Sequence, residues 1–275
     1  PYLYFVGVSQ FGVTGMNQRV PILVYHHVYP DDDPGLALPS EGKVTGVVAR
    51  SEFQRQMSYL ADNKWEVVST TQVVEWLESG AKLPKRSVAL HFDNGWLDTR
   101  EIAMPILLEY RMKGTCYVIS EATEAASEGK PATIRTSTEG SVAKPFITWR
   151  HAEEMLDAGW EIGAHTATHP KLADVYESDG DGGVLAEVEG SNETYARRLG
   201  FVPPHFAYPS GSRSERTDAI LSRYYRSLRL WRFSFPPRWS FTDRSTSPLA
   251  LECQNIDNTV LFEDFTRIFS EALDV

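Results

Sequence analysis

Ser87-Val88-Ala89-Leu90-His91-Phe92-Asp93-Asn94-Gly95 is an apolar run that stops abruptly on a carboxylate, an amide and a glycine. Its length and composition predict a buried strand over 87–92. Gly95 permits a sharp turn just beyond it. Upstream, Pro21 to Val28 and Trp65 to Ser69 read as strands. Between them Ser51 to Asn63 reads as a helix, with Ser51 as cap and Phe53, Met57 and Leu60 on one face. Thr70 to Glu78 is a helix stopped by Gly80. Downstream, Thr99 to Lys113 is a helix in which Pro105 lies early or makes a kink. Thr115 to Ser120 is a strand, Thr148 to Ala158 a helix capped by Thr148 and ended by Gly159, and Trp160 to His165 a strand. Val184 to Leu199 and Ser214 to Ser227 follow as helices. His205 to Tyr208, Ser227 to Leu230 and Leu249 to Asn255 are strand candidates, and Phe262 to Leu273 is a closing helix. This alternation implies parallel strands joined by crossover helices, an α/β sheet or barrel.

The chain has 275 residues, 42% hydrophobic and 23% charged, which are globular proportions. One α/β barrel fits, since such barrels run to about 250 residues. No Gly-Pro-Ser linker divides the chain, so 1–275 reads as one domain. Glu121 to Lys144, rich in Ala, Ser, Thr, Glu and Gly, reads as an inserted surface loop. The net charge of −10 argues against nucleic acid, which needs a basic face. Two cysteines, Cys116 and Cys253, exclude a disulfide framework and a cysteine-built zinc site. A single bond between them is left open. No apolar run approaches the roughly 20 residues of a membrane span. Pro1 in place of Met points to a native start further upstream, with room for a cleaved signal or anchor.

In such folds chemistry gathers where strands end. The strand ends carry His26-His27, Asp93-Asn94, His165 to His169 and Tyr208-Pro209, and six of the seven histidines lie at or beside these points. His165 and His169, four apart, face the same way if the strand passes into a helical turn, and imidazoles so placed can share one metal ion. Asp93, fixed at a strand end, can be tuned as a base; Asp-Asn-Gly is equally a common turn. His26 can donate a proton or simply be a satisfied core histidine. The Phe206-Ala-Tyr208-Pro209-Ser210-Gly211 turn can offer a backbone N–H to an oxyanion.

Taken together and in order, these segments resemble the polysaccharide deacetylases of carbohydrate esterase family 4. His91-Phe-Asp-Asn-Gly95 is similar to that family's Thr-Phe-Asp-Asp-Gly motif, and His165 to His169 to its His-Ser/Thr-x-x-His motif. The flanks agree: Phe146-Ile-Thr-Trp149, Ala158-Gly-Trp-Glu-Ile162 and Pro170-Lys-Leu172. The resemblance spans about residues 20 to 235. No His follows His205, whereas Pro21-Ile-Leu-Val-Tyr-His26-His-Val28 is similar to the N-terminal segment of poly-N-acetylglucosamine deacetylases, which carry the acid histidine at the front.

The resemblance implies a distorted (β/α)7-8 barrel and a divalent metal, usually zinc. His165, His169 and Asn94 fall at the ligand positions, Asp93 at the base, His26 at the acid, and Tyr208, Pro209 and Ser210 at the oxyanion and substrate position. The implied reaction removes N-acetyl groups from an N-acetylhexosamine polysaccharide or oligosaccharide and releases acetate, outside the cytoplasm or at the cell surface. Three departures stand out. The second Asp of the motif is Asn94, His91 replaces Thr, and the motif Arg that orients the base is Ala207, with Arg213 or Arg232 as substitutes. Asn94 leaves open a working natural variant, an inactivating substitution, or a carbohydrate-binding relative without turnover. An O-acetyl esterase of the xylan type is the alternative within the enzyme class. Trp231 and Trp239 either line a sugar groove or pack the core.

Overall fold

The structure, a computed structural model, describes residues 18–37, 46–137, 140–230 and 239–274. Seven parallel strands build its main sheet: β1 (Ile22–Tyr25), β2 (Ser87–Phe92), β3 (Thr115–Val118), β4 (Glu161–Ala164), β5 (His205–Ala207), β6 (Ser227–Arg229) and β7 (Gln254–Asn255). Their spatial order is β6-β5-β4-β3-β2-β1-β7, and the short strand Glu66–Val67 adds to β2. The sheet curls. Leu251 forms a parallel bridge to Arg229 of β6, and Gln254 and Asn255, three and four residues on, pair with β1. One short segment thus spans both edges, giving the distorted barrel that the family resemblance implies.

Among the described residues eight α-helices cover the sheet: α1 (Arg50–Asp62), α2 (Thr70–Ser79), α3 (Met104–Glu109), α4 (Ser120–Ser127), α5 (Trp149–Asp157), α6 (Leu172–Leu199), α7 (Glu215–Leu221) and α8 (Phe262–Leu273). Capping chemistry fixes several of them. Ser69 and Gln72 form a reciprocal capping box on α2, and Gly80 ends it in the left-handed conformation. Thr148 and His151 do the same for α5. Strand alternation sorts the side chains. Leu90, Phe92, Cys116, Val118, Ile162, Phe206 and Leu228 face the helices in the main core. His91, Asp93, Tyr117 and Arg229 alternate with them on the other face, and all are buried. Gly163 is needed there, because a Cβ would stand 2.4 Å from the Tyr117 ring.

Several boundaries differ from the sequence expectation. Pro21 to Val28 is not one strand: β1 ends at Tyr25, and His27–Tyr29 pairs instead with Val47–Ala49. The 121–144 stretch is no loop. It contains α4 and an antiparallel pair, Ile134–Thr136 with Gly140–Val142, whose Ile134 and Val142 bury a small apolar cluster with Trp96 and Phe146. Ser51 does not cap α1; Ala49 holds that position, and the Ser51 N–H binds Asp31 at 2.8 Å. Before Pro105 the chain makes a π-turn over Thr99–Ala103, because proline has no N–H for a helix interior. α6 begins twelve residues early and kinks at Gly180, where φ is 62°. α7 is shorter than expected, and Leu249–Ala250 lies in a 3-10 turn rather than a strand. Cys116 and Cys253 are both buried and share no disulfide.

Candidate functional site

Asp93 and Asn94 leave β2 together. The Asp93 N–H still reaches the Tyr25 carbonyl at 3.0 Å, extending the ladder, and Asn94 and Gly95 then turn at φ 76° each. His26 occupies the break between β1 and the next strand, which aims it at the same place: its Nε2 lies 3.9 Å from Asp93 Oδ2. His27 alternates away. Its Nδ1 lies 2.7 Å from Asp98, and its ring stacks on Trp96. Past β4, His165 and His169 stand with ring centroids 4.9 Å apart. Their loop is not a helical turn. Thr166 and His169 take φ of 65° and 69°, and the Thr166 hydroxyl accepts the His169 N–H at 2.9 Å.

Both imidazoles have a fixed tautomer. His165 Nδ1 lies 2.8 Å from the Ala207 carbonyl and His169 Nδ1 lies 2.9 Å from the Arg135 carbonyl. A carbonyl only accepts, so each Nδ1 carries the proton and each Nε2 presents a lone pair. His165 Nε2 is 3.1 Å from Asn94 Oδ1. Two acceptors facing each other at that distance fit a shared cation, or an amide turned to donate. Burial lowers the His165 pKa to about 3, against the pull of Asp93, so the ring is neutral. Two neutral imidazole nitrogens and an amide oxygen fit a borderline divalent cation such as zinc, with no ligand charge of their own.

The counter-charge beside this set is Asp93, and its partner is Arg229. One guanidinium nitrogen donates to both carboxylate oxygens, at 2.5 and 2.6 Å, with both side chains buried. Burial alone would raise Asp93; Arg229, then His165 and His26, outweigh it and hold the pKa at about 2. Arg229 was not among the residues proposed from sequence. Arg213 is instead bonded to Asp218, and Arg232 lies outside the described residues. Arg229 sits in register beside Ala207 on the neighbouring strand. The signal was present as an arginine alternating inward within the apolar run Ser227 to Leu230.

In the Tyr208–Ser210 turn, Gly211 and Ser212 N–H groups close the backbone bonds, and Ser210 at φ 52° lies outside them. The Tyr208 ring is buried and its hydroxyl donates to Asp218 at 2.6 Å. Pro209 is buried at the start of the turn. His91 does not reach the strand-end cluster. Thr115 donates to Glu161 at 3.0 Å, so Thr70, 2.7 Å away, must donate to Thr115 and accept from His91 Nε2 at 3.0 Å. His91 thus heads a buried chain of hydrogen bonds toward the strand starts. Trp239 is half-buried against the main core, and Trp231 lies outside the described residues.

Residues 80–226, a little over half the chain, match the polysaccharide deacetylase family. The Bacillus subtilis (strain 168) protein YxkH, which carries a polysaccharide deacetylase name, is 25% identical over 154 residues. That match takes in 56% of this chain but only 44% of the relative, so the chain spans less than half of the curated protein it matches. Among solved structures, the deacetylase PplD of Streptococcus pyogenes in complex with acetate superposes with a TM-score of 0.71 at 22% identity, over 90% of this chain and 97% of that one. IcaB from Ammonifex degensii gives 0.70 at 20% identity, over 93% and 97%. These two likenesses establish the fold, and the family match carries the paired histidines, Asp93-Asn94 and the Ser210 turn, so the chain belongs to the polysaccharide deacetylase family.

Proposed function

We propose that the chain is a metal-dependent N-deacetylase of an N-acetylhexosamine polysaccharide, acting outside the cytoplasm. The observation that carries this reading is the convergence of Asp93, paired with Arg229, on His26 at 3.9 Å beside the His165–Asn94 contact. A divalent cation held by His165, His169 and Asn94 would polarise the acetyl carbonyl and acidify a water. Asp93 takes the proton of the attacking water. The Ser210 N–H donates to the acetyl oxygen. Burial lowers His26 to about 4 despite Asp93 beside it, so His26 is neutral at rest. His26 must therefore gain a proton during the cycle before it can give one to the departing nitrogen. The C–N bond breaks, a C–O bond forms, and acetate and a free amine result. Among the described residues no helix is long and apolar enough to cross a membrane.

The test is acetate release from acetylated glucosamine oligomers and from acetylated xylan, by the wild type and by Asp93→Ala. Release from the first polymer alone, lost in the variant, is expected. Unchanged turnover in Asp93→Ala overturns the mechanism, and release from xylan alone makes the protein an O-acetyl esterase. Asn94 favours one second reading, a glycan-binding relative without turnover. It predicts sugar binding without acetate release by the wild type.

A further inference from the structure

The five-residue loop from His165 to His169 has its backbone held from two sides. On one side the first N–H groups of α4 take its carbonyls: Ser120 N–H to Thr166 at 3.2 Å and Glu121 N–H to Ala167 at 3.1 Å. On the other side one carboxylate takes its donors. Glu187 Oε2 accepts the Ala167 N–H at 3.0 Å and the Thr168 N–H at 2.9 Å, and Oε1 accepts the Thr168 hydroxyl at 2.6 Å. Two turns further along α6, Tyr195 receives the His165 N–H at 3.4 Å and donates to the Val118 carbonyl. One helix therefore grips the loop at its start and its middle. The grip matters because Thr166 and His169 are non-glycine residues at positive φ, a conformation that persists only where surroundings over-determine it.

Glu187 is suited to the task by its place on α6. It lies one residue before Val188 and three after Val184, both buried, at the edge of the face that packs on the sheet. Its carboxylate reaches the loop from there without entering the cluster of His26, Asp93 and His165. We propose that Glu187 is a positioning residue that sets the separation and aim of His165 and His169, and through them the affinity for a divalent cation. This inference rests on the metal-site part of the functional reading and is independent of the glycan.

The test measures zinc affinity of the chelator-stripped chain by competition with a chromophoric chelator, alongside the thermal midpoint of the stripped chain. Glu187→Ala is expected to bind zinc at least about tenfold more weakly, the range seen when groups behind metal ligands are removed. Glu187→Gln is expected to stay close to wild type, because its amide oxygen can take both N–H groups and its NH2 can meet the Thr168 hydroxyl. If Glu187→Ala does not fold, Thr168→Val at an exposed position removes one of the three bonds, with an expected weakening of about threefold. Unchanged zinc affinity in Glu187→Ala, or in Thr168→Val where that variant is read, overturns the proposal, as does a wild-type chain that holds no zinc. A wild type that binds zinc, loses affinity in Glu187→Ala and releases no acetate leaves this inference standing and overturns only the deacetylase reading.

Discussion

Arg229 stands in register with Ala207 across β5 and β6, and its guanidinium binds both oxygens of Asp93. The small side chain and the long one are neighbours on the barrel interior. The charge absent from the turn strand is thereby supplied one strand over.

A buried ion pair is costly to break from one side. Arg229→Met strands the Asp93 carboxylate in the interior, and a loss of about 3–5 kcal/mol in urea unfolding is expected. Acetate release should fall with it. The double variant Arg229→Met with Asp93→Asn should recover most of the stability and none of the turnover. Equal destabilisation by the single and double variants would show that the pair is not what holds this region.

Asn94→Asp adds a charge to a proposed ligand set that has none of its own. Zinc affinity, read by chelator competition, should rise at least about tenfold, since a carboxylate is a far better partner for a divalent cation than an amide. Unaltered affinity would mean that position 94 does not coordinate.

Gly163 has no room for a side chain, because the Tyr117 ring occupies it. Gly163→Ala should cost about 1–3 kcal/mol by overpacking. Pairing it with Tyr117→Leu should return part of that loss, measured by the same unfolding curves.

Acid should destabilise the fold before carboxylates titrate. Burial lowers the pKa of His26 to about 4 and pushes His91 and His205 down as well. Below the ordinary histidine value of about 6.5 the unfolded chain binds protons that the folded chain refuses, so stability falls as pH falls. The thermal midpoint of the metal-free chain should therefore drop between pH 7.5 and pH 5. His205→Asn, which can keep partners in Ser227 and Thr71, should flatten that slope. A midpoint that is level over this range would count against neutral burial of these rings.

The strand and helix order was readable because the apolar periods are clean: β2 and α8 fall where the pattern puts them. The failures share a cause. The break after Tyr25 is made by pairing with Val47–Ala49, a partner twenty residues away whose choice leaves no local trace. The stretch 121–144 looked like a loop because alanine, serine and glycine describe a thin helix and a short hairpin as readily as irregular chain. In the site, Asp93, His26 and the histidine pair were legible because their spacing is local or their motifs are ordered. Arg229 was not, because a residue 136 positions from Asp93 becomes its neighbour only through strand order.

The matched stretch 80–226 has a boundary that cuts through the chemistry. It contains both histidines of the pair, Asn94 and Asp93, while His26 and Arg229 fall on either side of it. A fragment excised along that boundary would keep every ligand proposed for the cation and lose both groups proposed to govern the proton: the imidazole facing Asp93 and the guanidinium paired with it. It would also shed β1, β6 and β7, so that the remaining strands end in raw edges where the full chain has neighbours. Such a piece could chelate and still be unable to hydrolyse, and its inactivity would be a property of the cut.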